Sequence, residues 1–287
     1  MKILLCPNPD RDTDYALTAN IAVQLRQHGA DVAICPVCVD REPELTVVSG
    51  IQATSLEEEL QIPADFAVTF GGDGTILHTA RIVAAKGVPI LGLNMGHMGF
   101  IADLERQESP FILRLLNGQY RIEQRMMLDV VFERAGQVYS RDCALNDVVL
   151  RGIARPIQVS ILCDGHPMSS FSGDGAVVST PTGSTAYSMA AGGPVVDPDA
   201  ENIVITPISA HVLYARAFVL APERRITVAA LGLETRSAYF SVDGSEPVAL
   251  EPGDQIQITR SQCTTKLVKI ADRSFYEKFY AKLGGRS

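Results

Sequence analysis

No stretch of the 287-residue chain gathers lysine and arginine, and the formal net charge is −8. Nucleic acids and anionic membranes select for a basic face, so this balance argues against both as partners; small anions, which a few local groups can hold, stay open. No apolar run reaches the length that crosses a bilayer, and the opening MKILLCPNPD is too short and too weakly charged for a secretory leader. A cytoplasmic protein is expected. The six cysteines lack the spacing of a disulfide framework, in keeping with a reducing compartment. Cys35-Pro36-Val37-Cys38 is a lone CxxC at the end of an apolar run, with no second pair and no histidine at ligand spacing, so buried thiols are expected there rather than zinc. The five histidines are scattered; no metal site, Ser-His-Asp set or Cys-His pair can be assembled from them.

What the chain does have is an ordered alternation of patterns. Its length suits two domains with separate cores. In the first hundred residues KILLC, DVAIC, DFAVTF and VPILGLN read as short buried strands. Between them YALTANIAVQLRQHG and TILHTARIVAAKG read as helices, the first closed by Gly29. Ser109-Pro110 reads as the cap and first turn of a helix over PFILRLLNG. From about residue 122 the period falls to two, in MLDVVFE, VYSRDCALNDVVL, IQVSILCDG, AVVST, RRITVAAL, SAYFSV and QIQITR. Cys163-Asp164-Gly165 and Val242-Asp243-Gly244 are hairpin signals. The expectation is an α/β domain with a mainly parallel sheet over 1–121 and an all-β, sandwich-like domain over 122–267. A helical tail, 268–287, should dock on the first domain through Phe275, Phe279 and Leu283.

Three places could carry chemistry. Gly71-Gly72-Asp73-Gly74-Thr75 follows a strand and opens a helix, as phosphate-cradling turns do. It lacks the Gly-Lys-Ser/Thr ending of a P-loop, and its spacing is not the dinucleotide fingerprint. Asp73 reads either as a cap for a helix opening at Thr75, or as a carboxylate facing a hydroxyl that receives phosphate. Gly74 is expected to permit a positive φ. The second place is SGDGAVVSTPTGSTAYSMAAGGPVV (172–196), where Thr182, Ser184 and Thr185 dress the start of a small-residue helix as an anion site or an over-hydroxylated cap. The third is Asn146-Asp147, which interrupts a strand-like run as a bulge or as an amide and carboxylate for a nucleoside.

Taken in this order, Gly-Gly-Asp-Gly after a strand, NMGHMGF (94–100), the Asn-acidic pair and GDG…STPTGSTAYSMAAGGP resemble the NAD kinases, from about residue 66 to the VDG at 242–244. TPTGSTAYSMAAGGP is the most specific part; Gly-Gly-Asp-Gly alone is shared with diacylglycerol-type lipid kinases and 6-phosphofructokinases. The resemblance implies phosphorylation of the adenosine-ribose 2′-hydroxyl of NAD, with Asp73 activating that hydroxyl. It implies that Gly72 and Gly74 line the phosphate path, together with Gly71, Thr75 and Ser184. His97 and Phe100 match positions near adenine and ribose; Gly74, Asn146, Asp147, Asp174, Thr182, Thr185, Ala186 and Tyr187 match NAD-binding positions. ATP or polyphosphate as donor, a divalent cation such as Mg²⁺ and a homodimer or homotetramer are implied as well. Two departures stand out: the family usually has Asn-Glu where this chain has Asn146-Asp147, and HVLYARA (211–217) replaces a segment like HTLSNRP. A lipid or sugar-phosphate kinase and a non-catalytic dinucleotide sensor are the alternatives.

Overall fold

Four of the short apolar runs become parallel strands: Lys2–Pro7, Asp31–Ile34, Phe66–Gly71 and Ile90–Asn94. The computed structural model describes residues 1–38, 41–96, 99–212 and 214–284, without the side chain of Leu283. Every residue of Phe66–Gly71 and of Ile90–Asn94 is buried, which is why these runs are continuously apolar rather than alternating. In the sheet Asp31–Ile34 lies beside Lys2–Pro7, then comes Phe66–Gly71, then Ile90–Asn94, and Leu267 extends the order by pairing in parallel with Ile90. The register Pro7 to Phe70 and Gly71 to Asn94 brings the carboxyl ends of three strands level. In open parallel sheets that edge is where ligands bind.

The chain divides into two compact units, residues 1–124 with 264–287, and residues 125–263. In the first unit, helix Ala16–Gln27 buries Thr18, Ile21, Ala22 and Leu25, an i, i+3, i+4, i+7 stripe, and Gly29 (φ +83°) ends it as expected. Helix Asp73–Val83 buries Ile76, Leu77, Ala80 and Val83; a fully buried side chain the size of Ile76 or Val83 contributes about 1.5–3 kcal/mol. This helix opens at Asp73, not at Thr75, so Gly74 lies in its right-handed first turn and the positive φ expected of it is not adopted. A second boundary is also corrected. The helix expected to begin at Ser109-Pro110 is a 3-10 helix, Arg106–Asn117, whose entry is tied by the Glu108 carboxylate accepting the Glu105 N–H at 2.9 Å. The C-terminal helix, Phe275–Leu283, begins at a reciprocal Ser274–Glu277 capping box and packs Phe279 on Phe100, with ring centroids 6.3 Å apart. Tyr276 and Tyr280 face outward. Cys35 and Cys38 are buried free thiols, and burial pushes the Cys35 thiol up to about 12.

The second unit consists of two antiparallel layers around one core. One layer holds the hairpin of Ile157–Cys163 and His166–Gly173, strand Ile226–Leu231 and the first part of Gln255–Lys269. The other runs Phe218–Leu220, Ile203–Ile208, Gly175–Ser179, Asp147–Gly152, Ala238–Val242, Val248–Ala249. Alternate residues of Ile157–Cys163, Ile226–Leu231 and Ala238–Val242 turn inward, and both layers contribute to a shared cluster that includes Phe132, Phe171, Ile205 and Phe240. The expected hairpin at Asp164-Gly165 is present, both residues having positive φ (51° and 81°), as a two-residue primed turn requires. The run VYSRDCALNDVVL is two strands, Gln137–Ala144 and Asp147–Gly152, parted at Leu145-Asn146. The small-residue helix after Thr185 is one turn, Tyr187–Ala190, separated from a 3-10 turn over Thr182–Thr185 by a non-helical Ala186. It is too short to act through a helix dipole, so that part of the anion-site expectation is withdrawn. Among the described residues no helix is long and apolar enough to cross a membrane.

Candidate active site

Functional side chains gather in two groups, one in each unit. In the first unit strand Phe66–Gly71 ends against the helix that starts at Asp73, with Gly72 as the extended N-cap. The Asp73 side chain does not cap its own helix. Its Oδ2 accepts the Phe100 N–H at 2.8 Å, and its Oδ1 accepts the N–H groups of Ile101 and Ala102 at 3.2 and 3.3 Å. The capping alternative is therefore replaced by a tie to a loop 27 residues away. Three N–H dipoles offset the negative charge, so a carboxylate can stand in a turn suited to anions.

The glycines of the turn serve different ends. A Cβ on Gly71 would fall 2.1 Å from Thr75 Oγ1, so this glycine lets helix and strand approach closely. Among the described residues a Cβ on Gly72 would meet nothing within 4 Å. Thr75 is buried, and its hydroxyl accepts from Asn8 Nδ2 at 3.3 Å. Asn8 follows strand Lys2–Pro7, and sequence reading missed it. Gly99 was missed too: a Cβ there would lie 2.2 Å from Asp73 Oδ1. Phe100 is half-buried under the C-terminal helix. His97, assigned to the adenine and ribose, lies outside the described residues.

In the second unit Asn146-Asp147 is held by a carboxylate that the local sequence gave no reason to pair with it. Asp243, in the left-handed turn after Ala238–Val242, accepts the N–H groups of Leu145, Asn146 and Asp147 at 2.7, 2.8 and 2.9 Å. Asn146 is 9% exposed, and its Oδ1 has no hydrogen-bond partner among the described residues. Buried polar atoms are almost always satisfied, so an oxygen left open in this way calls for an explanation. Asp147 is also buried. Burial, and then the charge of Asp243, push its carboxyl up to about 7.

The loop 180–187 is stitched to the same pair. Thr180 Oγ1 donates to Leu145 O at 2.6 Å and accepts the Gly183 N–H at 3.1 Å, while Thr180 N–H donates to Asn146 O at 2.9 Å. A Cβ on Gly183 would stand 2.1 Å from Asn146 O, a clash with backbone on both sides. Gly183→Ala should therefore displace Asn146, lowering thermal stability by about 1–3 kcal/mol; thermal melts check it. Ser184 donates its N–H to Pro181 O and its hydroxyl to Val196 O at 3.3 Å, while its Oγ accepts the Val196 N–H at 3.0 Å, so both donors serve the loop's own shape. Thr185 Oγ1 donates to Thr182 O at 3.2 Å. Thr182 is buried beside Gly183, Ala186 and Asp174 are half-buried, and Tyr187 packs on Val149, Val177 and Ile208. Among the described residues no three His, Cys, Asp or Glu side chains gather into a cation site.

Residues 3–120 match the model of the ATP-NAD kinase N-terminal domain, and residues 145–270 match that of the ATP-NAD kinase C-terminal domain. The chain is 33% identical over 290 residues to an NAD kinase of Acetivibrio thermocellus, covering 100% of this chain and 98% of the relative. It is 36% identical over 284 residues to an NAD kinase of Natranaerobius thermophilus, with 98% and 97% covered. Two solved structures share the fold. Yeast NADH kinase complexed with NADH has a TM-score of 0.86 at 23% identity, covering 100% of this chain and 88% of the other. An NAD kinase from Archaeoglobus fulgidus in complex with ATP has a TM-score of 0.73 at 24% identity, with 98% of both chains covered.

Proposed function

Because the chain belongs to the ATP-NAD kinase family, we propose that it transfers a phosphoryl group from ATP to the adenosine-ribose 2′-hydroxyl of NAD, giving NADP. The observation that carries the mechanism is the fixed carboxylate of Asp73, clasped by three N–H groups beside Gly72. Phosphoryl transfer asks the protein mainly to position the reactants and to offset charge, with one acceptor near the attacking hydroxyl. Asp73 is that acceptor. The first-turn N–H groups of its helix, with no acceptor inside the helix, receive phosphate oxygens. Asn146 Oδ1 takes an N–H of the dinucleotide, and Asp147 accepts its sugar hydroxyls.

Among the described residues no three His, Cys, Asp or Glu side chains gather into a cation site. A Mg²⁺ ion held by the nucleotide phosphates would need few protein ligands and would offset their charge. The polyphosphate alternative rests on the same phosphate chemistry. Action in the cytoplasm fits the six free thiols, and we take the working form to be a homodimer or homotetramer, which a sedimentation measurement decides.

Asp147 makes the reaction sensitive to pH. With its carboxyl at about 7, the hydroxyl-accepting form grows as the pH rises, so the KM for NAD should fall between about pH 6 and 8. Asp147→Asn should flatten that dependence; an unchanged slope would reject the assignment. The effect on stability has the same origin. Folding raises this carboxyl, so its contribution to stability is greatest below its ordinary range near pH 4 and declines as the pH climbs through about 7. The function itself is tested by a coupled NADP assay with ATP or polyphosphate as donor and NAD or NADH as acceptor. NADP formed from ATP and NAD is expected. Tight NAD binding with no product would instead favour a dinucleotide sensor, and transfer to diacylglycerol or fructose 6-phosphate a related kinase.

A further inference from the structure

Behind the loop that clasps Asp73, the C-terminal helix buries a lysine to which the mechanism above gives no role. Lys278 is 8% exposed, and its Nζ donates to Ala102 O at 2.6 Å. Ala102 is thereby gripped from two sides, since its N–H is one of the three that Asp73 accepts. The next residue is gripped as well: Asp103 Oδ1 lies 3.1 Å from Lys269 Nζ, and Oδ2 accepts the N–H groups of Ile270 and Ala271 at 2.7 and 2.9 Å. At the other end of the loop the Phe100 ring meets Phe279 and the Lys282 ammonium of the same helix, the latter 3.9 Å from its centroid. Burying an ammonium is costly, and an aliphatic side chain would pack a helix at lower cost. A lysine aimed at one carbonyl of the catalytic loop calls for a reason beyond packing.

We propose that Lys278 is a positioning residue for Asp73: by holding the Ala102 carbonyl it fixes the peptide N–H groups that orient the catalytic carboxylate. The inference rests on the reading of Asp73 given above. The groups that face Lys278 are Lys269 from the last strand, Asp103 from the loop and Asp73 from the helix it opens. Burial, then the Lys269 charge, lower the Lys278 ammonium to about 8, against the opposing pull of the two carboxylates. Above that pH the bond to Ala102 loses its charge assistance and the loop loosens.

The test compares full-length wild type, Lys278→Met and Lys278→Arg in steady-state NADP formation from pH 6.5 to 9.5. Lys278→Met is expected to lose about tenfold in kcat with the KM values for NAD and ATP within about twofold, because positioning acts on the reacting geometry rather than on binding. Lys278→Arg should recover most of the loss. Wild-type kcat should decline through about pH 8, and the Met variant should be flat there. A Met variant with wild-type kcat and pH profile overturns the proposal; so does one whose stability falls while kcat per folded molecule is unchanged. Should neither variant fold, the Ala102 carbonyl ¹³C resonance of the unmutated protein decides the matter: a titration with a midpoint at about 8 supports the contact, and a flat trace rejects it. Wild type that makes no NADP would instead refute the functional reading, an outcome separate from any difference between wild type and variants.

Discussion

Asp73→Asn should lower kcat for NADP formation by about 10²–10⁴, with NAD binding changed no more than a few-fold. The amide keeps the shape of the carboxylate but presents one oxygen and one NH₂. One side of it then meets N–H donors of the 100–102 loop with a donor of its own, because the wild-type carboxylate uses both oxygens there. Two losses follow. The hydroxyl loses its anionic acceptor, and the loop loses at least one charge-assisted bond, about 1.5–3 kcal/mol of stability. Activity must therefore be expressed per folded molecule. NAD binding is expected to change little because the substitution leaves Asn146, Asp147 and the 180–187 loop, the segments proposed above to hold the dinucleotide, unaltered. A variant that retained most of its turnover would remove Asp73 from the mechanism.

The second large effect is expected at a residue with no functional group. In Gly99→Ala the new methyl carbon would stand 2.2 Å from Asp73 Oδ1, 2.7 Å from Cγ and 2.9 Å from Oδ2. The obstructing atoms are the end of a side chain, so the protein can relieve the clash by turning the carboxylate away. That rotation gives up N–H bonds to Phe100, Ile101 or Ala102 and moves the acceptor off the hydroxyl. A misplacement of about 1 Å can cost 10²-fold in rate, so kcat should drop by about 10–100-fold. The fold should survive, because the adjustment is confined to one carboxylate. The signature is a large kinetic loss with a small thermal shift. A large fall in melting temperature with normal turnover would mean that Gly99 serves the loop backbone alone.

Much of this molecule was legible in its sequence, and the parts that were not share a cause. Buried strands such as Phe66–Gly71, the Asp164-Gly165 turn and the Gly29 helix stop are set by neighbours a few residues away, and local pattern finds them. A helix cap was one of two local readings of Asp73, because capping is the local use of such a residue; its partners are the N–H groups of residues 100–102. The same holds for Asp243, nearly a hundred residues from the Leu145–Asp147 peptides it supports. The helix expected to start at Ser109-Pro110 begins earlier because Glu108 reaches back to the Glu105 N–H, so an acidic residue supplies the entry that a serine and a proline seemed to signal. Ser184 and Thr185 looked like ligand-facing hydroxyls, yet both bond to backbone within their own region. Residue type and order found the important segments. Which atoms stay open to a ligand depended on contacts distant in sequence.

The most direct test of the account follows the phosphoryl group itself. Wild-type protein and Asp73→Asn are incubated with NAD, Mg²⁺ and γ-³²P-labelled ATP, and the labelled product is isolated and its phosphate located by ³¹P NMR. The account predicts one labelled product from wild type, with the phosphate on the 2′-oxygen of the adenosine ribose, and next to none from the variant despite retained NAD binding. Label at any other position, or equal transfer by both proteins, would contradict it.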